Sequence, residues 1–178
     1  MNEEIIRDYN TTASIYDDRY REEQSLKISF VMSKIRPHNG NTVIDIGCGT
    51  GMLLERLKDD GLHVGLDASS GMLREAKRKG VCAELVLGDA QSLPFRERCF
   101  DIAYSISVLQ LLDDPETTAS EIIRVLRGGG AFAVSILLKL GPEKIKKITG
   151  FFGSRSSSLE VYESESMKDI FLLGENNP

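Results

Sequence analysis

One stretch, Val43-Ile44-Asp45-Ile46-Gly47-Cys48-Gly49-Thr50-Gly51, constrains this chain more than any other. A short apolar run feeds a Gly-x-Gly-x-Gly turn, and Leu53, Leu54 and Leu57 follow at helical spacing. Glycines in such a turn permit the positive φ of a tight bend and let a ligand lie against bare backbone. A strand, a glycine turn and a helix in that order belong to an open α/β sheet, which binds its ligands beyond the carboxyl ends of the strands. A dinucleotide site would place a third glycine where Met52 stands, and a triphosphate loop would end in Gly-Lys-Ser/Thr, which is absent here. The loop therefore suits a nucleoside ligand without a pyrophosphate, and a nicotinamide-dependent reductase fails at Met52.

The alternation continues along the chain. Apolar runs predict strands over 42–46, 62–66, 82–87, 100–105 and 131–138. Between them helices are expected over 51–60, from the cap Ser69 or Ser70 to the stop at Gly80, and from the Asp114-Pro115 start through Leu126 to the stop at Gly128-Gly129-Gly130. Near-continuous apolar strands separated by helices indicate a parallel sheet covered on both faces. Farther on, 142–149 reads as a helix, 153–158 as a polar loop, and 159–162 with 168–174 as an antiparallel hairpin. Residues 1–40 are polar, Tyr-rich and free of strand-like runs, and read as helices preceding the main fold. In them Leu26, Phe30, Val31 and Ile35 suggest one amphipathic helix of about a dozen residues.

Composition removes several function classes. With 178 residues, 41% of them apolar, the chain can bury one sizeable core, so 1–178 is expected to be a single domain. The 22 Lys and Arg stand against 27 Asp and Glu, and a net charge of −5 provides no global field for nucleic acid or an anionic membrane. The longest strongly apolar stretch, 131–138, is far short of the ~20 residues of a membrane-spanning helix. The start, Met1-Asn2-Glu3-Glu4, is acidic where a signal peptide is basic. Cys48, Cys82 and Cys99 are scattered without CxxC spacing, which argues against a disulfide framework or a metal site. A cytoplasmic protein is expected, with no membrane partner.

Two acids follow the glycine loop. Asp67 ends the second strand, where a carboxylate can accept both hydrogen bonds of a ribose diol. Asp89, in Gly88-Asp89-Ala90 at the end of the third strand, can accept from an exocyclic amine such as that of adenine. For Asp67 a solvated loop residue or helix cap is the lesser reading, given its place after the glycine loop, whereas Asp89 taken alone would more often be a cap than a ligand.

Together these segments resemble the class I S-adenosylmethionine-dependent methyltransferases, in particular the small family typified by the ubiquinone/menaquinone-biosynthesis C-methyltransferases. The resemblance covers residues 9–138. It implies a Rossmann-like doubly wound sheet of seven strands, order 3-2-1-4-5-7-6 with the last strand antiparallel, behind an N-terminal helical lid over 1–40, with 41–178 as the cofactor-binding core. It implies S-adenosylmethionine as cofactor and S-adenosylhomocysteine as product. By the same resemblance Asp45 holds the cofactor's amino group, and Gly47, Cys48, Gly49 and Gly51 form the turn under its methionine part. Asp67 corresponds to the ribose-binding acid, Ala68 and Met72 lie near the adenine, and Asp89 and Ala90 form the adenine-edge pair. Ser105 contacts the methionine portion, 106–111 line the reaction pocket, and Tyr16, in Ile15-Tyr16-Asp17-Asp18-Arg19-Tyr20, folds over the cofactor.

The departures bear on the acceptor. Ser105-Ile106-Ser107-Val108 replaces the Asn/Asp-Pro-Pro-Tyr/Phe signature of amide and adenine-amine methylases, and Gln110 stands where many relatives carry a histidine. His38 and His63 read as solvated and outside the pocket. Tyr16 and Gln110 are the candidates for orienting an acceptor, which could be a small molecule or a component of the translation machinery. A nucleoside-binding regulatory subunit without catalysis is the competing reading. Finally, 82–87 would form an exposed sheet edge, and the resemblance extends to small methyltransferases held there by a compact zinc-binding activator subunit.

Overall fold

The computed structural model describes residues 2–58 and 60–178. Met1 of the acidic start and Asp59 of the expected 51–60 helix lie outside the described residues.

From residue 3 to residue 36 there is neither Gly nor Pro, and the chain forms one unbroken helix, α1 (Glu3–Lys34), rather than several. Asn2 caps it by accepting from the Glu4 amide, Glu3 and Glu4 meet the positive end of its dipole, and Lys34 sits in its last turn. The buried stripe differs from the expected one. Ala13, Lys27, Ile28 and Val31 face inward, while Leu26 is 57% exposed. The helix ends where Ile35 turns extended ahead of Pro37, and the buried Tyr104 hydroxyl donates to the Ile35 carbonyl at 2.5 Å.

Six further strands and three helices follow β1 (Thr42–Ile46): β2 (Leu62–Asp67), α2 (Ser70–Arg78), β3 (Glu84–Leu87), β4 (Phe100–Ile106), α3 (Pro115–Val125), β5 (Leu126–Leu137), α4 (Pro142–Gly153), β6 (Ser156–Ser164) and β7 (Asp169–Asn176). The sheet order is β3-β2-β1-β4-β5-β7-β6, parallel from β3 to β5, with β7 antiparallel to both of its neighbours. One face packs on α3 and α4, with Phe132 stacked on Phe152 at 4.7 Å. The other packs on α1 and the leucines after the glycine turn, with Phe30 against Phe171 at 4.6 Å.

Three expected elements take another form. Among the described residues of 51–60 the helical structure is a single 3₁₀ turn, Leu54–Arg56: Gly51 is left-handed (φ +79°), the Glu55 amide bonds four residues back to Gly51, and those of Arg56 and Leu57 bond three back, to Leu53 and Leu54. Leu53, Leu54 and Leu57 are nevertheless buried. The glycines 128–130 do not terminate α3. The helix stops at Val125, and β5 runs through them over a register shift between Phe100 and Ile102, where Gly129 takes φ +75°. The C-terminal hairpin is longer than its apolar runs suggested, and α4 extends to Gly153. No helix among the described residues is long and apolar enough to cross a membrane.

Candidate functional site

β1 and β2 pair in parallel register, so Asp45 and Asp67 arrive at the same end of adjacent strands with the glycine turn crossing between them. The amides of Gly47 and Cys48 both donate to the Leu66 carbonyl, at 2.7 and 3.0 Å, which fixes the turn to β2. Gly47, Gly49 and Gly51 all have positive φ, +76°, +53° and +79°. They differ in what a side chain would meet. A Cβ on Gly47 would strike Val108 and one on Gly51 would strike Val81, whereas one on Gly49 would meet nothing within 4 Å. The turn is thus packed from below at its ends and open at its middle.

The two acids are held differently. Asp67 accepts from the Gly49 amide and the Ser69 amide, each at 2.8 Å. Burial raises its pKa, and these backbone donors offset part of the rise. Asp45 is 3% exposed. Burial, then the neighbouring charge of Asp67, push its pKa up to about 7. Beside them the Cys48 thiol is pushed well up by burial and by both carboxylates, so it stays protonated and is no nucleophile.

Two small adjoining cavities of about 40 and 50 Å³ open over the turn. Tyr16, Gly47, Gly49 and Ile106 border both of them. Asp45, Cys48 and Gln24 line the first, and Asp67, Met72, Tyr9 and Ser107 line the second. Typical ligand pockets measure ~300 Å³ or more, so α1 lies close over the turn and leaves little of it open. Tyr16 stacks at 4.9 Å from Tyr20 and 6.1 Å from Tyr9, and burial raises its pKa. Two polar ties hold α1 there. Asn10 Oδ1 accepts from the Gly71 amide at 2.7 Å at the start of α2. Asp17 accepts from Thr50 at 2.5 Å and pairs with Lys79 at 2.8 Å. Burial opposes ionisation of Asp17, but the bonds from Lys79 and Thr50 prevail and lower its pKa.

Of the residues singled out in the sequence, Tyr16, Asp45, Gly47, Cys48, Gly49, Asp67 and Met72 line these cavities. Gly51 lies beneath the turn, and Ala68 follows Asp67 without lining either cavity. The exposed Asp89 accepts from the Gln91 amide in a local turn, and Ala90 is buried in the core. Ser105 is fully buried with no hydrogen-bond partner for its hydroxyl among the described residues, and Gln110 accepts from the Leu137 amide at 3.4 Å. His63 is buried within β2 rather than solvated, and His38 is exposed. No group of three or more potential metal ligands exists among the described residues.

No residue pattern signals the buried cluster that stands beside the second cavity. Lys27 is 0% exposed, with Nζ 2.7 Å from Glu23 Oε1, 2.8 Å from Asp169 Oδ1 and 3.0 Å from Ser107 Oγ. Ser107 itself adopts φ +58°, unusual for a residue with a Cβ.

Comparison with known proteins decides the family. The sequence profile described as "Methyltransferase domain" matches residues 44–134, just over half the chain. The chain belongs to the class I methyltransferases, and its cofactor is S-adenosylmethionine. Within this family it is 31% identical over 134 residues to the malonyl-[acyl-carrier protein] O-methyltransferase of Pectobacterium atrosepticum, covering 75% of this chain and 53% of that protein. It is 36% identical over 97 residues to the demethylmenaquinone methyltransferase of Renibacterium salmoninarum, covering 54% of this chain and 41% of that protein. The methyltransferase chain thus spans about half the length of these relatives or less. In fold it is similar to a chain from the complex between the Haloferax volcanii Trm112 methyltransferase activator and its methyltransferase partner, with a TM-score of 0.75 at 18% identity over 96% of this chain and 98% of that one.

Proposed function

We propose that this methyltransferase transfers a methyl group in line to an acceptor that enters beside Tyr9, Ser107 and Leu111. One observation carries the reading: a glycine turn open at Gly49, set between the buried carboxylate of Asp45 and the half-buried carboxylate of Asp67 at the ends of adjacent strands. A Cβ at Gly49 would project into that opening, and the acids match the two polar ends of the cofactor, a cationic amine and a ribose diol. Asp45 would receive the amine and Asp67 the diol, with Met72 and Ala68 beside the base. Asp89 and Ala90 would complete the adenine edge, and Gly47, Cys48, Gly51 and Ser105 the methionine side. Bound S-adenosylmethionine supplies a sulfonium methyl that is already electrophilic. What remains for the chain is alignment and exclusion of water. Tyr16, closed over the turn and kept neutral by burial, serves both ends, while Gln110 is committed to the Leu137 amide and drops behind it as an orienting group.

The acceptor side, walled by Ile6, Tyr9, Val108 and Leu111, suits an acceptor with an apolar moiety. Transfer of a tritiated methyl group across lysate fractions of RNA, protein and small molecules tests this reading, which predicts label in the small-molecule fraction. Label in RNA would overturn it. Nothing observed favours an inactive nucleoside-binding module. Three free cysteines suit the reducing cytoplasm.

A partner at the sheet edge has its own support. β3 is an edge strand without Lys or Pro, and Leu87 on it is 61% exposed. A compact zinc-binding activator subunit could add a strand there, as a protein similar in fold is found with an activator. Co-expression with such subunits should raise solubility and cofactor affinity; an isolated chain that is monodisperse and gains nothing from them refutes the idea.

A further inference from the structure

The cluster around Lys27 is costly to bury. Two charged side chains, Lys27 and Asp169, are each 0% exposed and lie on elements far apart in sequence, α1 and the first residue of β7. Their 2.8 Å contact is an ion pair without hydrogen-bond geometry, so both Asp169 oxygens lack a hydrogen-bond donor among the described residues. Replacing such a pair with apolar side chains is often neutral or stabilising, so stability alone is a weak reason for it. What the pair does accomplish is to aim the third bond of Lys27 at Ser107.

Ser107 carries two further marks. Its left-handed backbone is held by two bonds, the amide donating to the Ser135 carbonyl at 3.1 Å and to Ser135 Oγ at 3.0 Å. Strain of this kind persists only where the surroundings over-determine it, and it collects at functional sites. Moreover, the side-chain oxygen accepts from an ammonium, so its own proton is left to donate. Ser107 lines the cavity that Asp67, Tyr9 and Tyr16 also border.

We propose that Ser107 is the acceptor-recognising residue, donating a hydrogen bond to an oxygen of the methyl acceptor, with Lys27 and Asp169 as its positioning pair. The inference rests on the methyltransferase reading and adds a substrate class: acceptors that present a carboxyl, carbonyl or hydroxyl oxygen on an apolar body. A neutral amine must keep its single lone pair for the methyl group and a thiol sulfur accepts only weakly, so neither gains as much as an oxygen acceptor from a hydroxyl that donates.

The test uses the full chain with three probes of one alkyl body, octanoate, octylamine and octanethiol. Binding of each to protein saturated with S-adenosylhomocysteine is measured by calorimetry and NMR, and methyl transfer by tritium. Octanoate should bind and accept methyl in preference to the other two. Ser107→Ala and Ser107→Gly, the second of which also tolerates the left-handed backbone, should lower octanoate kcat/KM by about tenfold with S-adenosylhomocysteine affinity held within about twofold. Because Lys27→Met alone would strand Asp169 in the interior, the positioning role is tested with Lys27→Met/Asp169→Leu, which keeps the site apolar and packed. It should fold, bind S-adenosylhomocysteine as the parent does and show the same loss with octanoate. Preference for octylamine or octanethiol, failure of octanoate to bind, or full activity in the folded double variant would each overturn the proposal. Failure to bind S-adenosylhomocysteine in the parent chain would instead strike the methyltransferase reading.

Discussion

Cofactor binding should be coupled to the ionisation of Asp45. In the free protein this buried carboxyl has its pKa pushed up to about 7, by burial first and then by the charge of Asp67, from an ordinary 3.8. A cationic amine placed beside it favours the carboxylate, so binding must release a proton wherever Asp45 is protonated beforehand. With a pKa near 7 the carboxylate fraction is about three quarters at pH 7.5 and about 3% at pH 5.5, so affinity for S-adenosylhomocysteine should fall roughly 25-fold between them. The stability of the free protein follows the opposite course. The folded chain holds this proton more tightly than the unfolded one between pH 3.8 and about 7, so the contribution of Asp45 declines as pH rises through that window, by about 4 kcal/mol in total. Isothermal titration in two buffers of different ionisation enthalpy measures both affinity and proton release. Asp45→Asn should bind weakly with a flattened profile, and any slope left in that variant belongs to Asp67. An affinity that is constant from pH 5.5 to 7.5 in the parent, with no proton released at pH 6, would refute the argument.

Three other outcomes are expected. Asp67→Ala should weaken S-adenosylhomocysteine binding by roughly 1.5–3 kcal/mol through loss of charge-assisted bonds, and an unchanged Kd removes its assignment. Gly49→Val should abolish binding while circular dichroism shows the chain still folded, since the new Cβ has no protein atom within 4 Å and projects into the opening of the turn, and a side chain at φ +53° adds strain of only about 1–2 kcal/mol. Asp17→Asn should speed hydrogen exchange over residues 3–20 by weakening the ties to Lys79 and Thr50, and S-adenosylhomocysteine should slow it again; exchange identical in all states would sink the idea of a mobile lid.

Much of the site was legible because its chemistry is local in sequence. The strand with Asp45, the glycine turn and Asp67 lie within 43–67, and the register of β1 on β2 converts their spacing directly into proximity. The sheet order was legible only through resemblance, since apolar runs do not say which strands pair. What escaped was non-local. Lys27 sits among Leu26, Phe30 and Val31 in a pattern that by itself turns the leucine inward, and the carboxylate paired with the buried lysine instead lies 142 residues later, at Asp169. Likewise the glycines 128–130 carry the same local signal whether they end a helix or bulge a strand, and only the pairing of β4 with β5 decides between them.

The length of α1 has a mechanical consequence. From Ile35, where Tyr104 grips the chain, back to Asn10 are 25 residues of continuous helix, about 37 Å at 1.5 Å per residue. Such a rod acts as a lever: a tilt of about 10° at the Tyr104 fulcrum displaces Asn10 by about 6 Å, roughly the width of a ring, while Lys27, near the fulcrum, moves only about 2 Å. Such a tilt would open the entry to the cofactor side about three times as far as it shifts Lys27 beside Ser107.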